Sequence, residues 1–86
     1  MTRSGYRVLY HPAVKRVDIK KLVRASKQQV KSAIEQKLTT NPATFGIPLR
    51  GTLKEYWKLR VGQYRIVYRI ERKEVYVLVI AHRSAV

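Results

Sequence analysis

Four side chains in the second half of the sequence, Lys58, Arg65, His82 and Arg83, are of types that can do chemistry on a phosphate. Arginine grips a phosphate through two parallel N–H donors and keeps its charge at any relevant pH. Lysine and histidine can also carry a proton once burial or neighbours tune them. Such a set suffices to cut RNA, whose 2′-hydroxyl is an internal nucleophile. The protein has only to position that hydroxyl, take its proton, stabilise the crowded phosphorane and protonate the leaving oxygen. DNA lacks the hydroxyl and is not cut this way. No other arrangement competes. Asp18, Glu35, Glu55, Glu71 and Glu74 are scattered without the spacing of a paired-carboxylate site. His11 and His82 stand apart from any carboxylate cluster, so neither a metal nor another cofactor is expected. His11 reads as a strand-end residue. There is no glycine-rich phosphate loop, no Ser/His/Asp spacing and no cysteine.

The stretch YWKLRVGQYRIVYRI, Tyr56 to Ile70, must position these groups. It reads as two strands joined at Gly62-Gln63, with glycine at the first central place of a type II′ turn. That turn pairs Val61 with Tyr64, Arg60 with Arg65, Leu59 with Ile66, Lys58 with Val67 and Trp57 with Tyr68. Period-two alternation gathers Trp57, Leu59, Val61, Tyr64, Ile66, Tyr68 and Ile70 into a core wall. Tyr56, Lys58, Arg60, Arg65, Val67 and Arg69 fall on the reverse. Arg60 facing Arg65 is a destabilising like-charge pair unless an anion docks there. A solvated strand charge is the plain alternative for Arg65, and that opposition weighs against it.

The remaining chain supplies the scaffold. YRVLY, from Tyr6 to Tyr10, reads as a strand ended by His11-Pro12. Helical spacing predicts one helix over about Pro12 to Val23. A second opens at a Ser26/Gln29 capping box and stops near Thr40, since Pro42 pushes Asn41 out of the helical region. Asn41 to Thr52 reads as a loop. Val75 to His82, near-continuously apolar, reads as a strand buried on both faces inside the sheet. The expected fold is α+β, β-α-α-β-β-β: one antiparallel four-stranded sheet with an N-terminal helical hairpin on one face. Simple register puts His82 on the Arg65 side and Arg83 on the reverse; a bulge exchanges them. Base against phosphate clamp stays open for Lys58, and catalytic against structural histidine for His82. Tyr56 is the base-stacking candidate among the cations, with cross-strand packing as its alternative.

Length and charge bound the rest. Eighty-six residues are expected to form a single domain. Nineteen Lys and Arg against five Asp and Glu give a formal net charge of +14, which favours a polyanionic partner. The start lacks the apolar segment of a signal peptide and no run is long enough to span a membrane, so a cytoplasmic protein with no membrane partner is expected.

PLRGTLKEYWKLRVGQYRIVYRI and VYVLVIAHR, behind a strand and two helices, resemble the RelE/ParE toxin superfamily of toxin–antitoxin pairs, over nearly the whole chain. The RelE-like branch implies a ribosome-dependent messenger-RNA endoribonuclease that cuts through the 2′-hydroxyl without metal. The ParE-like alternative implies a non-enzymatic inhibitor of DNA gyrase. By the RelE resemblance Arg65 corresponds to the transition-state arginine and Lys58 to a lysine serving as base or phosphate clamp. Arg83 corresponds to an arginine assisting the leaving group, and His82 lies near where some members place a catalytic histidine. Arg50, Lys54, Tyr56, Arg60 and Arg69 are assigned to RNA contact. Ile47 and Pro48 stand where one branch carries a general-base glutamate, and Tyr56 where a second lysine is found. The implied partners are a cognate antitoxin in a hetero-oligomer, and the ribosome with its messenger and ribosomal RNA. If phosphate contacts are the main attraction, binding to RNA or ribosomes weakens steeply with salt through counterion release. Titration at increasing ionic strength checks this, and a flat affinity contradicts it.

Overall fold

The computed structural model describes residues 5–51 and 55–83. The Gly62-Gln63 turn anchors the sheet. Gly62 has φ +59 while Gln63 is not among the positive-φ residues, as a type II′ turn requires. The strands it joins, Tyr56–Val61 and Tyr64–Glu71, pair in the expected register from Val61 opposite Tyr64 to Tyr56 opposite Arg69.

In chain order the elements are β1 (Arg7–Tyr10), α1 (residues 14–21) and α2 (residues 24–38). The short α3 (Pro42–Phe45) follows, then β2 (Ile47–Pro48), β3 (Tyr56–Val61), β4 (Tyr64–Glu71) and β5 (Glu74–His82). The architecture is α+β, but the sheet is five-stranded and mixed, in the order β1-β5-β4-β3-β2. Two findings correct the expected four antiparallel strands. β1 runs parallel to β5, Arg7 beside Glu74 through Tyr10 beside Val77. Ile47 and Pro48, inside the expected loop, pair with Lys58 and Trp57 as an edge strand. Proline is tolerated there because an edge position needs no second ladder donor.

The helices also differ in detail. α2 opens at Arg24 with Val23 as an extended cap lacking any side-chain bond, so the Ser26 capping box goes unused. Burial decides the start: Leu22 is buried in the core directly before it. Both α1 and α2 contain π-helical turns, Val14–Asp18 and Ile34–Leu38.

One core joins the helices to one face of the sheet. Val14, Leu22, Val30, Ile34 and Leu38 pack with Leu59, Val61, Ile66, Tyr68, Val75, Val77 and Ile80. Trp57, Tyr64 and Ile70 border this wall, half-buried. β5 lies inside the sheet but is not covered on both faces, because Val79 is 40% exposed. No helix among the described residues is long and apolar enough to cross a membrane.

Tyr68 locks α3 to the sheet. Its buried hydroxyl donates to the Pro42 carbonyl at 2.7 Å, and Gly46 N donates to the same oxygen at 3.2 Å. A Cβ on Gly46 would meet the Tyr68 hydroxyl at 1.8 Å, so only glycine fits. Burial pushes the Tyr68 phenol from its usual 10.0 up to about 12. The unfolded chain therefore loses this proton first as pH rises, and the neutral phenol stabilises the fold fully only below pH 10. Tyr68→Phe is expected to cost about 1–2 kcal/mol at pH 8, because the carbonyl loses a buried donor. The gap between variant and wild type should narrow from about pH 10 towards 12. Denaturant titrations across that range check this, and a gap that widens contradicts it.

Candidate nucleic-acid interface

The uncovered face of the sheet is built from alternate residues of five strands. β3 contributes Tyr56, Lys58 and Arg60; β4 contributes Arg65, Val67 and Arg69; β5 contributes Tyr76, Val79 and Ala81. Arg60 stands directly opposite Arg65, beside the Gly62 turn. Neither forms an ion pair among the described residues. Arg83 joins them: Arg60, Gly62, Tyr64, Arg65 and Arg83 line one cavity of about 330 Å³.

A single extra residue in β5 explains why Arg83 arrives there. Val67 pairs with Val79, but Tyr68 pairs with Val77, leaving Leu78 bulged out of the ladder. The bulge reverses which side each later residue of β5 presents. His82 therefore pairs with Tyr64 on the helix-covered side, and the alternation puts Arg83 on the Arg65 side. The Arg83 amide donates to the Gln63 carbonyl at 2.7 Å, tying the end of β5 to the turn. The His82 ring meets Tyr64 edge-on at 5.3 Å, and its Nε2 lies 3.0 Å from Gln63 Oε1. It lines a separate cavity of about 250 Å³ with Asp18, Lys21 and Tyr64.

The other sequence-predicted residues divide by position. Lys58 is half-buried one step along β3 from Arg60, between Val67 and Ile47, and does not line the arginine cavity. Tyr56 and Arg69 pair with each other at the far end of the open face. Arg50 is exposed just beyond β2 and is not among the cavity groups. Lys54 lies outside the described residues. Tyr64, a core-wall residue by alternation, also lines the arginine cavity. Its place beside the turn, at the end of the strand, is the signal that could have marked it.

Charge is polarised along the open face. At the Gly62 end it is cationic. At the other end Arg69 pairs with Glu71 at 3.3 Å and Arg7 with Glu74 at 3.5 Å. The helical side is basic too, with Lys15, Arg16, Lys20 and Lys21 on α1 and Arg24, Lys27, Lys31 and Lys37 on α2. Net charge alone therefore does not single out the open face; the convergence of Arg60, Arg65 and Arg83 does. Among the described residues no group of three or more His, Asp or Glu is placed to hold a metal.

A family model described as the ParE toxin of type II toxin–antitoxin system, parDE, matches residues 8–86. The chain belongs to this family. Among solved structures, this ParE-family toxin is similar to the toxin–antitoxin complex RelBE2 from Mycobacterium tuberculosis, at 31% identity and TM-score 0.85, covering 92% of this chain and 99% of that one. It shares its fold with the archaeal RelE-RelB complex from Pyrococcus horikoshii, at 24% identity and TM-score 0.67 over 94% and 98% of the two chains. It shares it also with the chromosomal ParDE system from P. aeruginosa, at 12% identity and TM-score 0.61 over 93% and 98%. None of the curated proteins compared matches the sequence. The protein is a toxin of a type II toxin–antitoxin system within the RelE/ParE superfamily.

The facing arginines are expected to weaken the toxin's own fold. Arg65→Thr should raise stability by about 0.5 kcal/mol at low salt, since it removes a like-charged cross-strand pair. The gain should shrink as salt screens the charges. Inorganic pyrophosphate should raise the melting temperature of the wild type and not of the variant. Melting curves at two ionic strengths check both, and a loss of stability in Arg65→Thr contradicts the opposition argument.

Proposed function

We propose that this toxin cleaves messenger RNA in the ribosome through the RNA's own 2′-hydroxyl. The observation that carries the reading is the convergence of Arg60, Arg65 and Arg83 on one open cavity without a carboxylate among its described lining. Three fixed cations around one phosphate favour the phosphorane over the ground state, because negative charge accumulates on the equatorial oxygens as the 2′-oxygen attacks. The 2′-hydroxyl gives up its proton to Lys58 or to water as the P–O2′ bond forms, and the P–O5′ bond breaks as the departing oxygen takes a proton from water, leaving a 2′,3′-cyclic phosphate and a 5′-hydroxyl. Arg65 is the transition-state arginine in this scheme and Arg83 steadies the departing oxygen. Lys58 serves as proton acceptor or second phosphate clamp. His82, turned to the helix side, holds Tyr64 rather than acting on the phosphate.

The fold has few groups that transfer protons at this site, and the ribosome then contributes positioning. This supports dependence on the ribosome rather than free cleavage of RNA. The cognate partner is an antitoxin with acidic segments that mask the open face; the RelBE2 and archaeal RelE-RelB structures are both complexes of a toxin with its antitoxin. The protein acts in the cytoplasm, as a single toxin domain in hetero-oligomer with that antitoxin.

A second reading, a non-enzymatic inhibitor of DNA gyrase, is favoured by the ParE description of the matching family. The two separate on one substitution. Arg65→Ala should abolish growth inhibition while the protein stays folded, since Arg65 is only half-buried on the uncovered face of the sheet and forms no ion pair among the described residues. Mapping of transcript 5′ ends after induction should show new ends with the wild type and none with Arg65→Ala. Unchanged transcripts together with inhibited supercoiling would reject the nuclease reading.

A further inference from the structure

Arg69 behaves differently from the other cations of the open face. Its guanidinium pairs with Glu71 at 3.3 Å, so its charge is already answered within the protein. It also lies over the Tyr76 ring, 5.6 Å from ring centre to the guanidinium carbon. The ring is itself held, because the Tyr76 hydroxyl donates to Glu74 at 2.6 Å. Tyr56 stands on the other side of Arg69, directly opposite it across β3 and β4. Leu9 completes the row beside Tyr76. The row Tyr56–Arg69–Tyr76 therefore crosses three strands on one face, half-buried and uncovered by any helix.

A guanidinium held over an aromatic ring and already paired with a carboxylate is a weaker phosphate clamp than a free one, and it offers a stacking surface. Every base has a π-face, and unstacked bases settle on aromatic rings and on guanidinium planes. We infer that the Tyr56–Arg69–Tyr76 row is a base-stacking platform for single-stranded RNA, seating bases a few nucleotides from the phosphate held by Arg65. Four residue steps along β4 separate Arg65 from Arg69, about 14 Å at strand rise. A few nucleotides of unstacked single strand cover that distance. The backbone is then gripped at the arginine end, where no carboxylate competes. The bases are received at the other end, where Glu71 and Glu74 already occupy the Arg69 and Arg7 guanidiniums and the aromatic surface remains open. Polarity of this kind fixes the direction in which the strand lies. The platform rests on the RNA reading proposed above, but it adds a subsite with a different chemistry and a different salt signature.

The test is binding of the purified toxin to a short adenosine-rich RNA, and to the same RNA with abasic sugars, across a range of salt. Tyr76→Leu should weaken binding to the base-bearing RNA roughly tenfold and leave the slope of affinity against salt unchanged. It should leave binding to the abasic RNA unaffected. Tyr76→Phe keeps the ring and should bind like the wild type. Arg69→Lys keeps the charge but loses the plane and should resemble Tyr76→Leu. Arg65→Ala should instead lower the salt slope by about one. Equal binding of base-bearing and abasic RNA by the wild type, or full rescue by Arg69→Lys, would overturn the platform while leaving phosphate binding intact. A wild type that binds neither RNA at any salt would overturn the platform, whereas the ribosome-dependent reading falls only if transcripts on ribosomes are left uncut.

Discussion

Arg60 and Arg65 face each other across a two-residue turn, and much of what is unusual in this protein follows from that pair. The register that opposes them is the same one that puts Leu59, Val61, Ile66 and Tyr68 into the core. A slip of one residue would relieve the charges and expel the apolar set into water. Burial of the wall therefore holds the arginines together, and the repulsion is maintained by hydrophobic free energy. A site assembled this way is preorganised: its cations do not have to be gathered when the anion arrives. Gly62 makes it possible, because positive φ at the turn lets the strands meet two residues from the charges.

The bulge at Leu78 does the complementary work on the neighbouring strand. Without it, β5 would continue its alternation and present His82 to the arginines. With it, His82 turns towards Tyr64 and Asp18's side of the sheet while Arg83 completes the cationic cavity. One inserted residue thus decides whether the site contains a histidine or a third arginine. Bulges recur beside functional sites because they re-aim a side chain without altering the rest of the strand. The Ile80 amide in the same strand is satisfied by Asp18 Oδ2 at 2.9 Å, so α1 braces β5 just beyond the irregularity.

How far the sequence could be read depended on the range of each interaction. The β3–β4 hairpin was legible to the residue because its register is set locally, by the Gly62-Gln63 turn and strict alternation on both sides. The open cationic face was legible for the same reason. The parallel pairing of β1 with β5 was not, since it joins residues more than sixty positions apart and neither strand carries a local mark of its direction. β2 is two residues long and contains a proline, so it gives no periodic signal. The bulge lies within VYVLVIA, where every residue is apolar or small and none announces the irregularity; the sequence permits both sides for His82 and Arg83, and only the ladder decides. The Ser26 box misled because capping is worth about 1 kcal/mol, less than burying a leucine. Arg69 carries no mark in the sequence that separates it from the other cations assigned to RNA contact; its pairing with Glu71 and its place over the Tyr76 ring come from the fold.

The central claim is that the arginine cavity receives a phosphate whose neighbouring 2′-hydroxyl is the nucleophile. The most direct measurement uses ribosomes programmed with a messenger that carries one 2′-deoxynucleotide immediately 5′ to the scissile phosphate. The account predicts that the wild-type toxin cuts the all-ribose messenger and leaves the substituted one intact at that position. Cleavage of the deoxy-substituted messenger at the same phosphate, at an undiminished rate, would contradict it.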